Sequence, residues 1–276
     1  MRFEVHCLRF VLEARESLFF PPGKAANVLR GAFGWALHHA DPASAPSVFS
    51  PKLSAGPSGL NDAPRPFVFR ASHLDGKQFA PGASFYFGVN LFETGVNLVP
   101  RFAVTFAQLA AEGIGPGRAR CSTVSMDQTS HSIELNDENP GVSSVLVRFV
   151  TPTELKGHDG TLLREPEFGV LLARIRDRIS TLRQLYGGGP LDLDFRAFGE
   201  RASKVRTVRS DLRNVQVERI SSRTGQRHSI GGFVGEVEYE GDAGEFLPYL
   251  RTASFTGAGR QTVWGKGEIA LHSEGS

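Results

Sequence analysis

The sequence predicts an α+β protein made of two tandem ferredoxin-like (RRM-like, βαββαβ) modules. Three observations carry this. In the C-terminal half, strand-like and helix-like patterns follow one another as β-α-β-β-α-β. The N-terminal half repeats that order more faintly. In both halves a glycine cluster separates the last helix from the last strand, GIGPG at 113–117 and GAG at 257–259.

The C-terminal module, 143–276, opens with SSVLVRFVTP, an apolar β-branched run that reads as a strand. A helix follows, because Phe168, Leu171, Leu172, Ile175, Ile179, Leu182 and Leu185 recur at three and four. Glycines 187–189 end it. RNVQVERISSRTGQRHSIGGFVGEVEYEG reads as two alternating strands around a polar turn, EFLPYLRTA as a short helix and EIAL as the last strand. The N-terminal module, 1–142, starts with the strand FEVHCLRFVLEA. A helix runs from Lys24 to about Ala40, then come the strands PFVFRA and SFYFGVNLF, the helix PRFAVTFAQLAAEG and the strand RARCSTVSM. Residues 41–65, rich in Pro, Ser, Ala and Gly, read as a long inserted loop.

With 276 residues and 40% hydrophobic composition, the chain has material for a large core. No run of eighteen apolar residues marks a membrane span, and the charged, alternating N-terminus is no signal peptide. Cys7 and Cys121, without a CxxC, fit a reducing cytoplasm and argue against a zinc ribbon or a disulfide framework. Net charge is only +2, but residues 201–230 hold eight Lys/Arg against two acids. Arg213, Arg219, Arg223, Arg227 and His228 lie there, and such a local stripe points to one anionic partner.

The loop FTGAGRQTVWGKGEIAL resembles a phosphate cradle, but neither nucleotide motif fits. Gly265-Lys266 is followed by Gly267 rather than Ser or Thr, and the loop runs into a strand rather than a helix. No nucleotide or other cofactor is expected. What remains is a backbone that approaches something closely, through Gly257, Gly259, Gly265 and Gly267. Arg260 and Lys266 bracket it and Trp264 offers a stacking face, so RNA is the expected ligand.

GAGRQTVWGKGEI, with VRFVTPTELK, YGGGPLDLDF and LRGAFGWAL in the same order, resembles the CRISPR repeat-processing endoribonucleases of the RAMP superfamily. The likeness covers about 143–271 and, more loosely, the first forty residues; one extra residue separates the glycine pairs. It implies tandem ferredoxin-like modules, binding of CRISPR repeat RNA and one metal-independent cut per repeat. In that reaction the 2′-OH attacks the adjacent phosphate, leaving a 2′,3′-cyclic phosphate and a 5′-OH. A non-catalytic RNA-binding RAMP subunit is the alternative. The protein would act as a monomer or homodimer, alone or with other CRISPR effector subunits, away from membranes.

That reaction needs a base, an acid and cations for the phosphorane. The candidates are His38 and His39 at the end of the first helix, a region where family members commonly place a catalytic histidine. At 100° per residue, Asn27, Gly31, Gly34 and His38 share the face opposite the apolar arc, so a bare surface is expected beside His38. Lys24 and Arg30 are the nearest cations in sequence. The tyrosine some relatives carry near this helix is missing: Tyr86, Tyr186, Tyr239 and Tyr249 all lie elsewhere. No metal-ligand spacing occurs, so no metal is expected.

Overall fold

A computed structural model describes residues 1–272 except 44, 50, 52–62, 94–97, 138, 158, 221–226 and 230. The first module contains β1 (Arg2–Ala14), β2 (Leu18–Phe19), α1 (Ala25–Ala40), α2 (Ala45–Phe49), β3 (Phe67–Arg70), β4 (Gln78–Phe79), β5 (Ser84–Phe92), α3 (Leu98–Glu112) and β6 (Cys121–Glu134). Its antiparallel sheet has the order β3-β5-β1-β6. The second contains β7 (Ser144–Thr153), α4 (Phe168–Tyr186), α5 (Phe195–Ala202), β8 (Arg206–Val215), β9 (Glu218–Ile220), β10 (Arg227–Ser229), β11 (Gly232–Glu240), α6 (Leu247–Thr256) and β12 (Ile269–His272). Its sheet has the order β12-β7-β11-β8. Counting only the four long strands of each module, both sheets run second-third-first-fourth from one edge. Two helices follow the first and third strands in each, so the βαββαβ order expected from sequence is met twice.

Two helices escaped the sequence reading, as did the two-residue strands β2 and β4. α2 is a short helix inside the segment taken as loop, and the rest of that segment is mostly outside the described residues. α5 is capped by Asp194, whose carboxylate accepts from the backbone N–H of Arg196 and Ala197, each at 3.0 Å.

β1 shows why the modules share a core. Leu8, Phe10, Leu12 and Ala14 point to the helices of their own module. There Phe33 of α1 stacks on Phe102 and Phe106 of α3 at 4.5 and 4.9 Å. Phe3 and Val5, together with Val68 and Phe92, are on the opposite face and join the core of the second module. The end of α6 sits on that face. Arg70 of β3 donates from one Nη to the carbonyls of Ser254 and Phe255 at 2.8 Å, and Asn90 donates to Phe255 at 3.0 Å. Arg178 Nε of α4 donates to Thr256 at 3.1 Å. Cationic donors at a helix C-terminus satisfy carbonyls left without intrahelical partners. Burial pushes both guanidinium pKa values down, Arg178 to about 10.

Candidate functional site

α1 is the element to build from, because one end meets the second module and the other ends in histidines. At the far end, His38 and His39 are both exposed. His38 Nδ1 lies 2.7 Å from the Gly34 carbonyl, and His39 Nδ1 lies 2.8 Å from the Trp35 carbonyl. A carbonyl only accepts, so each Nδ1 carries the proton. In each neutral ring the lone pair is then on Nε2. The histidines also sit in parallel settings. The His38 ring meets Phe49 edge-on at 5.9 Å, and Arg30 lies over that same Phe49 ring at 4.4 Å. The His39 ring is 4.1 Å from Trp35, and Arg118 lies over Trp35 at 5.3 Å. Two His–aromatic–Arg groups thus flank the end of one helix.

Two expectations change here. The surface beside His38 is not bare at Gly34: a Cβ there would lie 2.4 Å from Phe49, so the aromatic ring of α2 covers it. Gly31 remains open, with nothing within 4 Å of an added Cβ. Lys24 does not accompany His38. It is the N-cap of α1, fourteen residues away, or about 21 Å along the axis. Arg30, whose guanidinium shares Phe49 with His38, is the cation that the fold brings near.

The start of α1 is where the second glycine loop docks. Lys266 is 3% exposed, and its ammonium donates to the Gly23 carbonyl at 2.9 Å. Asp75 beside it accepts from the Ala25 N–H at 2.8 Å, supplying the side-chain cap that Lys24 does not. Burial pushes the Lys266 pKa down, and Asp75 opposes the shift. Burial pushes the Asp75 carboxyl up, against its bonds to the helix N–H groups and the charge of Lys266. Lys266 therefore faces inward and holds the modules together, which corrects its expected place on the RNA side.

The glycines have the same explanation. Gly257, Gly259, Gly265 and Gly267 all have φ between 69° and 78°, a region costly for side chains. A Cβ at Gly265 would lie 2.3 Å from the Ala26 Cβ, at Gly259 2.4 Å from the Glu154 carbonyl, and at Gly267 2.0 Å from the Ala258 carbonyl. Close approach is real, but the neighbour is protein. Trp264 packs on the first module's core, with Arg30 5.7 Å from its ring. Arg260 is exposed and paired with Glu154.

The basic segment is partly neutralised. Arg201 pairs with Glu245 at 2.7 Å and Arg209 with Glu238 at 3.1 Å. Arg213 is exposed on β8, the sheet edge. β9 and β10 pair as a ribbon that sets His228 opposite Arg219 and Arg227 opposite Ile220; Arg223 lies outside the described residues. The ribbon starts beside α1, since a Cβ at Gly23 would lie 3.3 Å from Val217. Among the described residues, no three His, Cys, Asp or Glu side chains gather as a metal site would need.

A family model described as an N-terminal domain matches residues 3–144. The model of CRISPR-associated endoribonuclease Cas6 matches residues 147–269, the half that carries the ribbon and glycine loop. Residues 147–269 therefore carry a domain of the Cas6 family. The match of that domain supports an endoribonuclease of CRISPR RNA processing. Its fold agrees. A Cas6 product complex aligns at TM-score 0.67 and 17% identity, over 97% of this chain and 100% of the other. Cas6 of Thermus thermophilus aligns at TM-score 0.62 and 16% identity, over 98% and 99%. A RAMP protein binding different RNA substrates aligns at 0.52 and 11%, over 97% and 100%. No curated protein matches the sequence. No helix among the described residues is long and apolar enough to cross a membrane.

Sequence reasoning missed Phe49, Trp35 and Arg118. Phe49 lies in the segment read as loop. Trp35 had a signal: it falls between Gly31 and His38 on the exposed side of α1, and remains 43% exposed.

Proposed function

We propose that this chain cuts CRISPR repeat RNA without a metal, with His38 as the residue that moves the proton. Its Nε2 takes the proton of a ribose 2′-OH, the 2′-oxygen attacks the adjacent phosphorus, and the bond to the 5′-oxygen breaks; that oxygen takes a proton from solvent, to which the imidazolium later returns its own. The products are a 2′,3′-cyclic phosphate and a 5′-OH. The observation that carries this reading is the histidine's geometry. Nδ1 is engaged with the helix carbonyl, the ring is braced by Phe49, and Arg30 stands across the same ring to offset phosphorane charge. His39 makes the same backbone bond but sits on the more exposed Trp35, so His38 is the better preorganised of the two.

The basic ribbon, which starts beside the beginning of α1, and Arg213 would hold the repeat by its phosphates. The two thiols fit a reaction in the cytoplasm. Solved Cas6 proteins in product and substrate-mimic complexes support repeat RNA as the partner, and a Cas6-RT-Cas1–Cas2 complex supports other CRISPR proteins as further ones.

The test is cleavage of labelled repeat RNA in EDTA. The wild type cuts, and His38→Ala cuts at least about a hundredfold more slowly, with RNA binding retained. Loss of cutting in EDTA that is restored by magnesium would sink the metal-free mechanism. Tight binding with no cutting under any condition would identify a non-catalytic RNA-binding subunit instead.

A further inference from the structure

We infer that Trp35, His39 and Arg118 form a stacking platform for one unpaired RNA base beside the scissile phosphate. The inference rests on the proposed function: RNA is the ligand, and the cut lies at this end of α1. Trp35 is on the solvent side of α1 and is 43% exposed, while its neighbours Phe33, Ala36 and Leu37 are fully buried. A single exposed aromatic is common on a protein surface; what sets Trp35 apart is its place beside the histidines at the end of α1. Its surroundings select a nucleotide. The His39 ring lies 4.1 Å away and is tilted 34°, giving a second π-surface. Arg118 lies 5.3 Å from the indole, positioned to meet a phosphate or the edge of a stacked base.

Arg118 is held there by the first glycine loop. Ile114 and Ala119 exchange backbone hydrogen bonds at 2.9 Å, and the Arg118 N–H donates to the Gly115 carbonyl at 3.0 Å. This closes a tight turn that puts Arg118 in the left-handed region, at φ 49°. A non-glycine residue there is strained, and such strain gathers where a side chain is held for use. Among the described residues, no carboxylate pairs with Arg118, whereas the nearby Arg120 is paired with Glu16 at 2.7 Å. Arg118 thus keeps its charge available for an anion. The platform adjoins His38, so the base it takes belongs to a nucleotide flanking the cut. Stacking tolerates any base, which suits a positioning role more than sequence reading.

The chain has two tryptophans, so Trp264→Phe leaves Trp35 as the sole indole reporter. Titration with the repeat RNA of the source genome should quench its emission in step with binding, followed separately by anisotropy of labelled RNA. The reciprocal signal in the wild type is quenching of 2-aminopurine placed in turn at each unpaired position. Trp35→Ala should weaken RNA binding about tenfold and raise KM more than it lowers kcat, Trp35→Phe should recover most of this, and the melting temperature should not change. Arg118→Ala should lower the salt slope of binding by about one. RNA binding with unchanged Trp35 emission and no 2-aminopurine signal overturns the platform while leaving the endoribonuclease reading intact. Absence of RNA binding altogether overturns both.

Discussion

The two glycine loops occupy the same place in the two modules and share letters, yet they point opposite ways. The loop at 113–117 folds into a tight turn whose basic neighbours, Arg118 and Arg120, are exposed. The loop at 257–267 turns inward, with Lys266 buried and its glycines pressed on protein backbone and on α1. A glycine cluster marks where main chain must come close to something. It does not say whether that something is a ligand or the other half of the same molecule. Here the loop that looked like a ligand cradle joins the modules, and the loop that looked like plain punctuation presents a cation.

The contrast can be broken by substitution. The largest effect belongs to Gly265→Val. It sets a branched side chain at φ 75° with a Cβ 2.3 Å from that of Ala26. Denaturant unfolding should report a loss of at least about 3 kcal/mol. A loss under 1 kcal/mol would show that the loop can lift off α1. Next comes Lys266→Met, which leaves the Gly23 carbonyl without its ammonium donor and removes the charge that favours the Asp75 carboxylate, at a cost of about 2 kcal/mol. The salt slope of RNA binding should not move, because the ammonium faces Gly23; a slope reduced by about one would return Lys266 to the RNA side. The smallest effect sharpens the comparison from the other loop. Gly117 has nothing within 4 Å of an added Cβ, so Gly117→Ala should change stability by less than about 0.5 kcal/mol.

What was legible in the sequence follows from range. The order of strands and helices could be read because periodicity is local: the heptad-like spacing from Phe168 to Leu185 gives α4, and the alternation of β1 gives its two faces. The positions of the histidines at the end of α1 could be read for the same reason. The direction of Lys266 could not. It depends on Gly23 and Asp75, which lie 243 and 191 residues away in the chain. The covering of Gly34 by Phe49 was hidden likewise, since a five-residue helix carries too little pattern to stand out. α5 had a local signal in Asp194 followed by Phe195, Phe198 and Ala202, but its length of eight residues made it easy to pass over as the tail of the glycine stop.

The docking of the second glycine loop on the start of α1 has a mechanical consequence. α1 is a rod fixed at its start by the loop and along its buried face by α3, with His38 about 21 Å from the loop. A tilt of about 5° at the anchor swings the imidazole by about 2 Å, and misplacement by about 1 Å can cost a hundredfold in rate. Under the proposed mechanism, alignment of the reacting atoms depends in part on residues that contact neither RNA nor His38. Small changes at Gly265, Ala26 or Asp75 that leave the fold and RNA affinity standing should detune cleavage from the opposite end of the helix.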